Sequence, residues 1–134
     1  MVLNSKETIK CHYVCKVLEF FGTQATCWGS TWESIEVPEG QGKPGKEQFD
    51  TKLQEYIDEF TYEILRRERN NKLKQTDFLT VSDFPYPSED IRSAWIAYRQ
   101  KLRNITATET PSLDEKYQLV VTWPTPPIWP ANVV

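Results

Sequence analysis

The stretch at residues 76–105, TDFLTVSDFPYPSEDIRSAWIAYRQKLRNI, constrains this chain more than any other. Pro85 and Pro87 end any helix that reaches them, because proline lacks an amide hydrogen and its ring collides with the preceding turn. Each also pushes its predecessor, Phe84 or Tyr86, toward extended backbone. Thr76, Asp77, Ser82 and Asp83 have short side chains that bond nearby amides and hold turns. Ser88 comes next as an N-cap, and Glu89 and Asp90 put negative charge at the positive end of a new helix. Ile91, Trp95, Tyr98, Leu102 and Ile105 then recur at steps of three and four residues as one apolar stripe. Arg92, Arg99, Gln100 and Arg103 fall on the opposite side. A helix that stops at a structured elbow, with a second helix starting at once behind it, is predicted to pack as an antiparallel pair.

The first helix of that pair is expected over residues 46–73. Phe49, Leu53, Tyr56, Ile57, Phe60, Ile64 and Leu65 make its apolar stripe. Its acids lie early (Glu47, Asp50, Glu55, Asp58, Glu59, Glu63) and its bases late (Arg66, Arg67, Arg69, Lys72, Lys74). That segregation complements the helix dipole, and it explains the run RRERNNKLK more cheaply than nucleic-acid binding does. The net charge of -3 agrees, since phosphate binders usually carry a basic excess.

Residues 38–45, PEGQGKPG, read as a flexible connector. Ahead of it, residues 8–21 show one apolar face at odd positions (Ile9, Cys11, Tyr13, Cys15, Val17, Phe21) and a face that begins polar at even ones. Period two predicts a strand, although Asn4 and Glu7 mimic a helix capping box. After a turn at Gly22-Thr23-Gln24, residues 25–37 predict a second strand, with Trp28, Ser30 and Trp32 on one face. Behind the elbow helix, residues 111–134 form a tail with four prolines after Trp123, an extended, polyproline-like segment carrying Trp123, Ile128 and Trp129 as apolar knobs. The expected class is therefore α+β: a β-hairpin or small sheet (1–37), a linker (38–45), a helical hairpin (46–110) and an extended Pro/Trp tail (111–134).

Catalytic, cofactor and metal sites are not expected. On a strand, Cys11 and Cys15 stand ~13 Å apart at ~3.3 Å per residue, too far to share a tetrahedral ion or a disulfide; only a helix would bring them together. His12, the single histidine, would face away from its neighbour Cys11. The glycines of the connector lack phosphate-loop spacing. No apolar run approaches the ~20 residues of a membrane span, and the N-terminus lacks the layout of a secretion signal. Three cysteines confined to the first quarter do not suit a disulfide scaffold. The expected setting is a reducing cytoplasm.

The segment LRRERNNKLKQTDFLTVSDFPYPSEDIRSAWIAYRQKLRNI resembles the C-terminal region of tail fibre assembly chaperones and related tail assembly chaperones of tailed bacteriophages. The carriers are Arg66 and Arg69, then Thr76-Asp77-Phe78, the Asp83 and Pro85 elbow, Trp95, Tyr98-Arg99-Gln100, Leu102-Arg103-Asn104 and the closing Trp123-Pro124. Phe78 stands where tryptophan is usual. The resemblance implies a non-enzymatic protein that binds a phage tail fibre or receptor-binding subunit in the host cytoplasm and assists its folding, trimerisation or attachment. It also implies a homo-oligomer or several copies on a trimeric fibre, with neither nucleic acid nor membrane as partner. The alternative is a permanent tail or baseplate adaptor retained in the virion. The expected partner-binding residues are Trp123, Ile128 and Trp129 of the tail, with Trp95, Tyr98 and Arg99 of the second helix.

Overall fold

The structure, a computed structural model, describes residues 6–22, 26–27, 31–40 and 42–128, with side chains from His12 onward except at Thr26 and Cys27. The architecture is α+β, as the sequence predicts: helices α1 (Lys6–Phe20), α2 (Lys46–Gln75) and α3 (Glu89–Thr108), with short strands β1 (Thr26–Cys27), β2 (Ile35–Glu36), β3 (Ser112–Leu113) and β4 (Leu119–Val120). The strands form two two-stranded sheets, β1 with β2 and β3 with β4. The chain divides into two compact units, Met1–Thr61 with Leu113–Gln118 and Tyr62–Ser112 with Leu119–Val134.

Two expectations for the first unit are corrected. Residues 8–21 are not a strand: Lys6–Phe20 is one α-helix. Tyr13, Val14, Val17 and Leu18 are its buried residues, with Phe21 partly buried, and Val14, Val17, Leu18 and Phe21 stand at the i, i+3, i+4, i+7 spacing of a helical face. Gly22 ends the helix at φ 67° and donates its amide to the Glu19 carbonyl at 3.0 Å, the left-handed cap that glycine adopts without strain. Nor are residues 25–37 one strand. Thr26 pairs with Glu36 and Cys27 with Ile35, antiparallel, so the run closes on itself. Trp32–Ser34 forms a 3-10 turn beside β2. Trp28 and Ser30 lie outside the described residues.

The core of this unit is Val14, Val17, Leu18, Ile35 and Phe49, flanked by Phe21, Trp32, Val37, Leu53 and Tyr56. Tyr13 stacks on Tyr56 and tilts against Phe60, with ring centroids 6.1 and 5.6 Å apart. The connector is fastened by Trp32, whose Nε1 donates to the Pro44 carbonyl at 2.8 Å and whose ring lies 3.7 Å from Lys43 Nζ. Gly45 precedes α2, and its carbonyl accepts the Phe49 amide in the first turn.

In the second unit, α2 runs to Gln75 and a 3-10 turn, Asp77–Thr80, opens the elbow. Ser88 caps α3 as predicted: its hydroxyl accepts the Ile91 amide at 3.3 Å. The α3 stripe is buried where its periodicity puts it, at Trp95, Tyr98, Leu102 and Ile105. In Leu113–Gln118, which belongs to the first unit, Asp114 organises a tight turn: its Oδ1 accepts the Lys116 and Gln118 amides at 2.8 and 2.9 Å, and Tyr117 takes φ 57°. Residues 121–128 contain neither helix nor strand.

Candidate partner-binding surface

The elbow is held by one guanidinium. Arg99, on the middle of α3, is only 7% exposed, although the stripe of α3 predicts it on the solvent side. Its Nη1 donates to the Leu73 carbonyl (2.8 Å) and the Thr76 hydroxyl (2.5 Å), and its Nη2 to Asp77 Oδ1 (2.9 Å). The Thr76 hydroxyl, itself fully buried, lies 3.2 Å from the Leu73 carbonyl, to which it donates. A helix end leaves its last carbonyls without amide partners. The Leu73 carbonyl accepts the Thr76 amide at 3.1 Å and takes the cation from the next helix as a further donor, and a positive group suits the negative end of the α2 dipole. Asp77 completes the neutralisation from the solvent side, with its side chain 62% exposed. The short polar residues expected to cap turns therefore act differently: Thr76 and Asp77 receive Arg99.

The elbow is filled with aromatic rings behind this clip. Leu79, Trp95, Tyr98 and Leu102 form the buried cluster, with Leu73, Phe84, Tyr86, Ile91 and Trp123 packed against it. Phe84 meets Phe78 and Tyr86 edge-on at centroid distances of 5.6 and 4.9 Å, and Trp95 meets Tyr98 at 5.6 Å. Edge-to-face contacts of this kind add to the burial itself. Tyr86 donates its hydroxyl to the Leu79 carbonyl at 2.6 Å, which closes the loop that Pro85 and Pro87 stiffen. Burial pushes the Tyr98 phenol above its ordinary 10.0.

These positions separate the predicted partner-binding residues. Trp95 is wholly buried and Tyr98 and Arg99 nearly so; all three build the scaffold and present almost no surface to another molecule. Their aromatic and guanidinium groups are engaged inside the unit. Trp123 is shared: one part of its ring packs on the elbow cluster, with Lys72 Nζ 5.0 Å from its centroid, and the rest is accessible. Ile128 is 97% exposed. Trp129 lies outside the described residues. Sequence reasoning missed Val81, Ile96 and Val120, large apolar side chains each about half exposed, as is Phe78. For Ile96 the signal was present in the helical wheel, an isoleucine amid arginines on the face away from the stripe.

The cysteines need a second correction. Because residues 8–21 are helical, the strand spacing that set Cys11 and Cys15 ~13 Å apart does not apply. Cys15 is exposed and unpaired; the side chains of Cys11 and Cys27 lie outside the described ones. Among the described residues no three metal-ligating side chains converge, and no helix is long and apolar enough to cross a membrane.

The sequence model of a family described as phage tail assembly chaperone protein matches residues 62–128. The matched region holds α3, the elbow, the Arg99 clip and Trp123, and starts within a residue of the division between the two compact units. No curated protein and no solved structure matches the chain.

Proposed function

This chain belongs to the phage tail assembly chaperone family, with a role in tail assembly, and from that premise we propose that it binds a tail fibre or receptor-binding subunit in the host cytoplasm and assists its folding, trimerisation or attachment. The family membership carries the reading. The arrangement of the second unit supports it: a filled, hydrogen-bonded elbow in a unit that leaves Phe78, Val81, Ile96 and Val120 about half exposed and Ile128 almost wholly so. Fibre subunits are β-rich trimers whose long-range contacts form slowly, and their open edges and apolar faces invite aggregation meanwhile. A small protein with rigid apolar side chains covers such a face at little cost in its own conformational freedom. The prolines after Trp123 limit the freedom that the tail loses on docking into a groove or against a strand edge.

Co-expression with the fibre subunit of the same phage tests the proposal. The fibre is expected to become soluble and trimeric only when this chain is present. Equal yields of soluble trimer with and without it would refute the reading. Truncation after Thr122 removes Trp123, Ile128 and Trp129, and is expected to weaken co-purification of the fibre. Finding the chain in purified virions in fixed proportion would turn the reading toward the permanent adaptor.

A further inference from the structure

Three arginines share one face of α3 with an exposed isoleucine between them: Arg92, Ile96, Arg99 and Arg103, at steps of four, three and four. Helix stability gives no reason for this row, since like charges at i and i+4, as at Arg99 and Arg103, repel by a few tenths of a kcal/mol. The row forms one wall of a cavity of about 230 Å³, whose other wall is the elbow at Leu79, Val81 and Tyr86. No acidic residue is among the described residues that line it.

The three guanidiniums differ in what they have left to offer. Arg92 pairs with Glu89 at 3.0 Å on the surface. Arg99 is spent on the clip except for its Nε, which is buried without a hydrogen-bond partner. A buried donor left unpaired is costly, and a native structure that keeps one invites an explanation. Arg103 makes no ion pair or hydrogen bond with any described residue. It is exposed and stands one turn beyond Arg99. The cavity thus joins unspent positive charge to a partly exposed apolar floor, Val81 and Ile96 being 54% and 49% exposed.

We infer that this cavity takes an acidic residue of a partner protein, an aspartate or glutamate side chain flanked by an aliphatic one, with Arg103 and Arg92 receiving the carboxylate and Val81 and Ile96 the neighbouring side chain. The inference rests on the reading of this chain as a binder of a tail protein. The planar guanidinium fork matches a carboxylate with two parallel hydrogen bonds, which a lysine ammonium does not offer. The volume suits one or two side chains. A polyphosphate backbone is disfavoured, because half of the wall is apolar and the chain as a whole carries -3.

The probe is a set of N-acetylated, C-amidated 15-residue peptides tiled across every tail protein of the same phage, titrated against the full chain by fluorescence anisotropy. The capped ends leave side-chain carboxylates as the acidic groups. The bound peptides are expected to carry Asp or Glu beside Leu, Ile or Val. Changing that acid to its amide, or Arg103→Glu in the chain, is expected to weaken binding on the order of tenfold, the effect of losing about 1.4 kcal/mol. The circular dichroism and melting temperature of the Arg103→Glu chain should match those of the unaltered chain. If the substitution unfolds the chain, Arg103→Gln serves instead, with the same expected direction.

Three outcomes overturn the inference: binding insensitive to both changes, binding of a single-stranded oligonucleotide titrated in the same way in place of the peptides, or no peptide bound at all. If acid-dependent binding falls on a tail protein other than the fibre, the cavity stands and the fibre reading falls. If the intact fibre co-purifies equally with Arg103→Glu and no peptide binding depends on an acid, the fibre reading stands and the cavity falls.

Discussion

The two units solve the same problem, fastening a helix to its neighbouring segments, by different physics. In the first, α1 meets its surroundings through Val14, Val17, Leu18, Ile35 and Phe49, and the ion pairs around it are on the surface: Lys46 with Asp50 at 2.8 Å and Glu33 at 3.7 Å, Lys52 with Glu55 at 3.0 Å. In the second, a guanidinium buried in the unit ties a helix end, a threonine and an aspartate together. Apolar burial is non-directional and holds a helix without fixing its rotation finely. A bidentate, enclosed cation accepts only one geometry. The difference teaches where precision is needed: the unit that contains the family match is the one fixed by directional bonds.

The sharpest way to break this comparison is to remove the clip. Arg99→Met keeps the length and the apolar stem but removes the donor shared by the Leu73 carbonyl, the Thr76 hydroxyl and Asp77, and is expected to cost about 2 kcal/mol of unfolding free energy. Urea melts monitored by tryptophan fluorescence would read it. Arg99→Lys restores the charge without the fork and is expected to recover less than half of the loss. The counterpart in the first unit, Lys46→Met, removes a group 54% exposed and should leave the melting temperature nearly unchanged, although hydrogen bonding and charge from Asp50, with Glu33, hold the Lys46 pKa above its ordinary 10.5. Equal effects of Arg99→Met and Lys46→Met would erase the distinction. Added salt separates them further, since exposed pairs are screened more than a clip whose guanidinium is buried.

A smaller effect is expected at the elbow's exit. Ser88→Ala removes the hydroxyl that accepts the Ile91 amide and should cost about 1 kcal/mol, as loss of an N-cap typically does. Ser88→Asp, which keeps an acceptor and adds negative charge at the helix start, should restore it. Hydrogen exchange of the Glu89, Asp90 and Ile91 amides would localise the change to the first turn of α3. Faster exchange spread evenly through the unit would show that the cap holds more than its own helix.

The second unit was the legible one, and the reason is chemical. Pro85, Pro87 and Ser88 act through their own backbone, so their meaning survives without knowledge of any neighbour, and a stripe as regular as Ile91, Trp95, Tyr98, Leu102 and Ile105 admits one period. The N-terminal helix was not legible in that way. Apolar residues stand on several sides of α1, so Ile9, Cys11, Tyr13, Cys15 and Val17 satisfy period two while Val14, Val17, Leu18 and Phe21 satisfy 3.6. The capping-box mimicry of Asn4 and Glu7 in the sequence was the signal that favoured a helix and was outweighed. Arg99 was misplaced for a different reason. A long cation on the flank of a stripe is usually solvated, and only the fold shows that the end of α2 lies within its reach. The resemblance sets Thr76-Asp77 and Tyr98-Arg99-Gln100 in one pattern, and the clip supplies the physical link between the two halves of it.

The smallest expected effect concerns pH, and it again distinguishes the units. Burial raises the Tyr98 phenol above 10.0, because the charged phenolate is disfavoured among Trp95, Leu79 and Leu102. The folded protein therefore binds that proton more tightly than the unfolded chain does. Below pH 10 both states keep it and the group does not bias folding. As pH rises past 10 the unfolded chain releases it first, so unfolding gains and stability falls until the folded value is passed. Tyr98→Phe removes this group and should flatten the decline above pH 10, apart from what the other phenols and lysines contribute in both proteins. A decline of unchanged slope in Tyr98→Phe would mean that the alkaline weakness belongs elsewhere.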